Sequence, residues 1–315
     1  MKLEGYLFAA LSAISYGTIP LFALPLKRVG LSFDTVLTYR FLFTALLIGL
    51  YLLWKKEKLN VNIKELLTLV TLGLLFAFSS YFLFWSYDFM DVGIASTLLF
   101  MYPVFVAMIM TLVFKEKASW TLWVSIALAF FGIYMINGGS LDGGLSLFGI
   151  MVVGASALSY GLYIVVINKS SVKSMSGVKL TFYSMLISGI FFLTKSLMMT
   201  GELQHIPNLE SWANILLFAV VSTAISCIAM VYAVHHVGST VTAVMGALEP
   251  VVAVIIGVMV FHEQLTLNLV AGLIFILTAV IFIVQGDHII SKTKQVKGHW
   301  SLYLLNIKKR NRTNL

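Results

Sequence analysis

Ten apolar runs, each about as long as a membrane-crossing helix, take up nearly all of this chain. They lie at about 5–25, 32–53, 66–87, 93–114, 119–137, 146–167, 178–199, 211–234, 239–261 and 266–285. Roughly 20 apolar residues are needed to cross a hydrocarbon core of ~30 Å. The chain is 60% hydrophobic and 11% charged, against about 25% charged in soluble domains. Lipid offers no partner for backbone N–H and C=O groups, so apolar spans of this length are helical. The expected fold class is therefore an all-α integral membrane protein with ten transmembrane helices. The first run has no small-residue cleavage site and reads as a retained helix, not a signal peptide. Cys227 is the single cysteine. It excludes an internal disulfide, and in an apolar run it reads as packing.

The runs are arranged as a duplication. Ser12-Ala13-Ile14-Ser15-Tyr16-Gly17 returns as Ser156-Ala157-Leu158-Ser159-Tyr160-Gly161, 144 residues on. Tyr87 to Gly93 (YDFMDVG) returns as Tyr232 to Gly238 (YAVHHVG) at an offset of 145. Pro103 with Glu116 returns as Pro250 with Glu263 at an offset of 147. One order and nearly one spacing identify two copies with small insertions. The units are residues 1–140, residues 141–286 and a basic tail at 287–315.

Each copy holds five helices, an odd number, so the second enters the membrane upside down relative to the first. The lysines agree. With the N-terminus inside, the cytoplasmic segments hold Lys2; Lys55, Lys56, Lys58 and Lys64; Lys115 and Lys117; Lys169, Lys173 and Lys179; and seven basic residues of the tail. These are 17 of the 21 basic residues. Lys27, Arg28, Arg40 and Lys195 are the remainder. The positive-inside rule thus places both termini in the cytoplasm, with the protein in the cell (cytoplasmic) membrane. An inverted pair of repeats suits alternating access around a central site.

The paired Pro-x(12)-Glu helices, the Ser-Ala-x-Ser-Tyr-Gly first helices and Arg40 in the second helix resemble EamA-type repeats of the drug/metabolite transporter superfamily. The resemblance covers about residues 5–286. It implies a ten-helix carrier with a central cavity, moving small metabolites, often amino acids, usually outward. Four-helix multidrug relatives carry a coupling glutamate in the first helix. Here that helix has only Glu4, at its mouth, which departs from their drug/proton antiport.

Glu249 is the one acidic residue deep within an expected helix. A carboxylate there costs about 2.5–3.5 kcal/mol on insertion scales, so it should face a cavity or a partner. It suits a substrate ammonium or a coupling proton; the plainer reading is a structural carboxylate bonded to a neighbouring helix. Arg40, near 12 Å from the outer end of its helix, either snorkels to the surface or binds a substrate carboxylate. Together the two would suit a zwitterion. Tyr16, Tyr160, Tyr102, Tyr81 and Trp85, with Tyr39 and Tyr87, are candidates for an aromatic cavity wall or for packing. Pro103 and Pro250 lack the N–H that would bond Leu99 and Gly246, and are expected to bend their helices near mid-membrane as hinges. Tyr102 stands in copy one where copy two has Glu249, so any charged role is asymmetric.

Other motifs carry less. Glu116 and Glu263, at helix ends, read as gate or packing partners. Asp88-x-x-Asp91 and His235-His236 read as solvated charge in equivalent turns after the third helix of each copy; no metal site is expected. Asn168 and Asn311 match glycosylation sequons on cytoplasmic segments. The tail could lie on anionic lipid. No cofactor and no nucleic-acid partner are expected; the partners are a small-molecule substrate, the bilayer and protons as a coupling ion. An intramembrane lipid-modifying enzyme would need a His, Asp or Arg cluster at a membrane face, for which Asp88-x-x-Asp91 is thin. Drug or organic-cation efflux is the alternative within the transporter class. No Walker sequence points to ATP drive.

Overall fold

A computed structural model describes residues 2–115, 120–136, 146–172, 175–246, 248–279 and 281–282. Glu116, Asn311 and the tail lie outside the described residues. All regular structure among them is helical. Seven segments are long and apolar enough to cross a membrane, and three shorter apolar helices stand in the other expected runs.

Copy one comprises α1 (Lys2–Gly17) and α2 (Ile19–Arg28), then α3 (Phe33–Trp54), α4 (Ile63–Ser86), α5 (Val92–Leu99), α6 (Tyr102–Leu112) and α7 (Trp120–Ile136). Copy two comprises α8 (Leu147–Lys169), α9 (Gly177–Thr200), α10 (Leu209–Leu217), a π-helical stretch (Phe218–Ile225), α11 (Ser226–Met245), α12 (Leu248–Phe261) and α13 (Leu267–Ala279). Polar caps start the spans. Ser32 accepts from the Thr35 N–H at 3.2 Å, and Ser176 accepts from the Lys179 N–H at 3.3 Å. Asn62 and Glu65 form a reciprocal capping box at 2.9 Å each way, and Asn208 caps α10 at 2.8 Å. Serine caps the second span of both copies and asparagine the third, so the caps share the duplication.

The copies interlock, and the contacts show the inversion. α3 packs along α9. Asp34, at the start of α3, pairs with Lys195 near the end of α9 at 2.7 Å. At the opposite ends, Gly49 of α3 lies against Phe182 of α9. The two second helices therefore run antiparallel. The repeated serine has a matching job in both copies. Ser12 donates to the Ser226 carbonyl at 2.9 Å, and Ser156 donates to the Ser79 carbonyl at 2.6 Å. Each ties the first span of one copy to the third span of the other.

Three boundaries differ from the sequence reading. The first span is broken at Thr18, one residue before α2, which carries Pro20 at its start. Thr18 Oγ1 donates to the Ser15 carbonyl at 2.6 Å and so occupies the break. His235-His236 are not in a turn: they lie within α11, and exposed His236 bonds the Tyr232 carbonyl at 2.7 Å through Nδ1. In the first copy Asp91 stands at the N-cap position of a new helix, α5, whereas its counterpart His236 continues one. The prolines break their spans more sharply than a bend: Pro103 is the second residue of a new helix, α6, and Pro250 the third residue of another, α12. Nor is the Gly246 carbonyl freed, since it accepts from the Glu249 N–H at 2.9 Å.

Helix pairs in lipid are held by close packing of small residues. A Cβ on Gly73 of α4 would stand 2.5 Å from Ile187 Cγ2 of α9, whereas one on Gly154 would meet nothing within 4 Å. Gly73→Val should lower unfolding stability of the purified protein by about 1–3 kcal/mol through overpacking, and Gly154→Ala should be near neutral. Equal thermal midpoints for Gly73→Val and wild type would show that α4 and α9 do not pack this closely.

Candidate functional site

The two broken spans and the first-span break converge on one cavity. It is lined by Tyr16 and Ile19 at the α1–α2 break, Arg40 of α3, Ser79, Ser80, Leu83 and Phe84 of α4, Ser96, Leu99 and Phe100 around the end of α5, Tyr102 of α6, Tyr160 of α8, and Glu249 of α12. Broken backbone at membrane depth is tolerated where it lines such a space. Its volume is about 20 Å3 at water centres. That admits a water or two but no metabolite, so binding requires the walls to part.

Five of the residues singled out in the sequence meet here: Glu249, Arg40, Tyr16, Tyr102 and Tyr160. Glu249 is in the first turn of α12, not in a helix middle. The helix start carries positive partial charge, which favours a carboxylate at that depth. Tyr102 and Tyr160 meet edge to face at 4.8 Å between centroids. Tyr102 is the first residue of α6, and Glu249 the second of α12 in the other copy. Arg40 does not snorkel: it is 2% exposed. Its Nε donates to Thr223 Oγ1 at 3.0 Å, and its guanidinium carbon lies 4.2 Å from the Phe218 ring centroid. Thr223 was not legible as part of the site, because nothing in its sequence neighbourhood marks a π-helical stretch.

Tyr81 and Trp85 lie elsewhere. Tyr81 lies tilted against Trp85 at 6.0 Å between centroids and takes the Lys195 ammonium over its ring at 4.1 Å. Trp85 packs against Phe148 at 5.5 Å. Tyr39 packs on Trp212 at 5.6 Å, and Tyr87 is buried in the core.

One further contact ties the cavity walls together. The Glu263 carboxylate accepts the Val92 N–H at 2.8 Å and the Gly93 N–H at 3.1 Å. It thereby caps α5, whose own N-cap residue Asp91 makes no side-chain capping bond. Gly257 leaves the room, since a Cβ there would overlap the Glu263 carboxylate. The second-copy Pro-x(12)-Glu glutamate thus holds the helix that carries Ser96 and Leu99. Lys27 pairs with Asp88 at the same turn, and Arg28 lies 5.2 Å from the Phe261 ring centroid.

A multi-pass helical protein whose broken spans enclose a polar, charged cavity between two inverted copies is a membrane transporter in form. The chain matches the EamA-like transporter family twice, over residues 3–138 and 147–285, and belongs to it. It is similar to the uncharacterized transporter YdfC of Bacillus subtilis (strain 168), 26% identical over 259 residues, covering 80% of this chain and 83% of the relative. The uncharacterized transporter YoaV of the same organism is 23% identical over 236 residues, 72% of this chain and 78% of its own. An uncharacterized transporter of Archaeoglobus fulgidus is 27% identical over 191 residues, 61% of this chain and 66% of its own. A protein of known crystal structure shares the fold with a TM-score of 0.65 at 12% identity, over 92% of this chain and 99% of that one.

Removing the Glu263 carboxylate strands two backbone N–H groups. Glu263→Ala should therefore cost about 1–3 kcal/mol of stability. Burial pushes the Glu263 carboxyl above the usual carboxylate range; the Val92 and Gly93 N–H groups pull it back, and Asp91 adds to the rise. A net rise means the folded protein holds this proton more tightly than the unfolded chain. Stability of wild type relative to Glu263→Gln should then fall as pH rises from the usual carboxylate range through the raised value. A difference independent of pH in thermal unfolding would contradict that sign.

Proposed function

We propose that this transporter exports small zwitterionic metabolites, amino acids or close relatives, by alternating access through the central cavity. Arg40 takes the carboxylate, and Glu249 takes the ammonium or carries a coupling proton. Tyr16, Tyr102 and Tyr160 supply the aromatic wall, with Pro103 and Pro250 as the points about which the half-helices move. The single observation that carries the reading is that a guanidinium and a carboxylate, one from each copy, line one cavity without an ion pair between them among the described residues. A site holding opposite charges apart is complementary to a solute carrying both. Glu249 beside three tyrosines would suit an organic cation alone, but a buried guanidinium repels one. The units are two inverted domains, residues 1–140 and 141–286, with a basic tail at 287–315. Both termini are cytoplasmic in the cell membrane, as the lysine distribution favours.

The test is uptake of a labelled amino-acid panel into proteoliposomes, with and without a pH gradient. Glu249→Gln should abolish flux or separate it from the gradient, with the protein still in the membrane in normal amount. Wild-type flux in Glu249→Gln at every pH would remove Glu249 from binding and coupling. Movement of organic cations with no amino acid moved would favour cation efflux, and a lipid product in place of flux would favour an enzyme.

A further inference from the structure

We infer that Thr223 is a positioning residue, held in the π-helical stretch Phe218–Ile225, that sets Arg40 as a carboxylate subsite of the cavity. The inference rests on the amino-acid reading for the origin of that carboxylate, and adds the residue that confers selectivity on Arg40.

A π-helical turn bonds five residues back and recurs at functional sites. Here the Thr223 hydroxyl donates to the Phe218 carbonyl at 3.2 Å. A hydroxyl has one proton to give, so its lone pairs are left to receive the Arg40 Nε–H at 3.0 Å. The chain of donors therefore runs from Arg40 to Thr223 to the π-turn carbonyl, and its direction is fixed. Phe218, the first residue of the same stretch, lies against the guanidinium at 4.2 Å. Thr44, one turn beyond Arg40 on α3, shares its hydroxyl proton between the Arg40 carbonyl at 2.8 Å and the Ala219 carbonyl at 3.2 Å, and so links α3 to the stretch. Thr18, at the first-span break, hydrogen-bonds Ser222 at 2.8 Å.

One part of the guanidinium is left open. Arg40 Nη2 is buried and has no hydrogen-bond partner among the described residues. No carboxylate pairs with Arg40 among them, and Tyr16, Cys227 and Tyr87 are its other polar neighbours. An unpaired buried guanidinium is costly, and its planar fork matches a carboxylate. The held Nε and the open Nη2 are what a positioned anion site requires: one side clamped, the other free to donate into the cavity.

The experiment uses the purified full chain in detergent. Thermal midpoints are read against an equimolar mixture of L-amino acids, a mixture of their decarboxylated amines and a mixture of the matching 2-oxo acids, at constant ionic strength. In wild type the amino acids should stabilise at the lowest concentration, and the 2-oxo acids at about tenfold lower concentration than the amines. Thr223→Val should raise the half-saturating concentration of both carboxylate mixtures by about tenfold and leave the amine response unmoved. Thr223→Ser should restore the wild-type response. Thr223→Ala carries the same expectation if the valine variant does not fold. A merely structural role would lower the ligand-free midpoint and shift all three mixtures alike, which overturns the inference, as does an unchanged carboxylate response in Thr223→Val. If the 2-oxo acids stabilise wild type and amino acids do not, the subsite stands and the amino-acid reading fails. If neither carboxylate mixture stabilises it, the subsite itself is overturned.

Discussion

A buried guanidinium without a carboxylate partner is the constraint around which this molecule is arranged. Arg40 is 2% exposed, within the second span. Moving such a charge out of water costs several kcal/mol even after relaxation. The compensation comes from both copies. α3 of copy one supplies the arginine, and the π-helical stretch of copy two supplies Thr223 and the Phe218 ring. The cavity therefore forms only when the two halves are docked, and its lining comes from both.

The breaks in the helices follow from the same need. Where a span stops and restarts, unsatisfied backbone groups must find partners inside the protein. The restart at Leu248 puts Glu249 at a helix start, where a carboxylate is tolerable at depth. The restart at Tyr102 puts a tyrosine there instead. At the start of α5 the N–H groups without helical partners are taken by Glu263 from the other copy. The walls of the cavity are thus tied together by side chains exchanged between the copies, and not by apolar packing alone.

Much of this was legible in the sequence because it rests on periodicity and on rare residues. Apolar length marked the spans, and the repeat with its odd helix count marked the inversion that Asp34–Lys195 displays. Glu249 and Arg40 stood out because charge is expensive in lipid. The repeated Ser12 and Ser156 were visible as a motif, but their partners were not, since a carbonyl across the bundle has no sequence signature. The same holds for Glu263, whose acceptor role depends on Val92 and Gly93, 170 or so residues away. Thr223 was invisible because a π-helical turn depends on how neighbouring spans pull the backbone. Tyr81 and Trp85 are aromatic and near the right depth, yet they face a different neighbour set; type and depth do not fix direction. The helical path through His235-His236 shows that two copies of one motif need not share a backbone.

The central claim is that one solute bridges Arg40 and Glu249. Substrate counterflow in proteoliposomes tests it most directly, with an unlabelled amino acid, its decarboxylated amine and its deaminated carboxylate as competitors. The account predicts that the zwitterion inhibits at a concentration at least about tenfold below either single-charge analogue, as expected when two charged contacts act together. Inhibition by the amine alone at the potency of the zwitterion would contradict it and leave Arg40 without a substrate role.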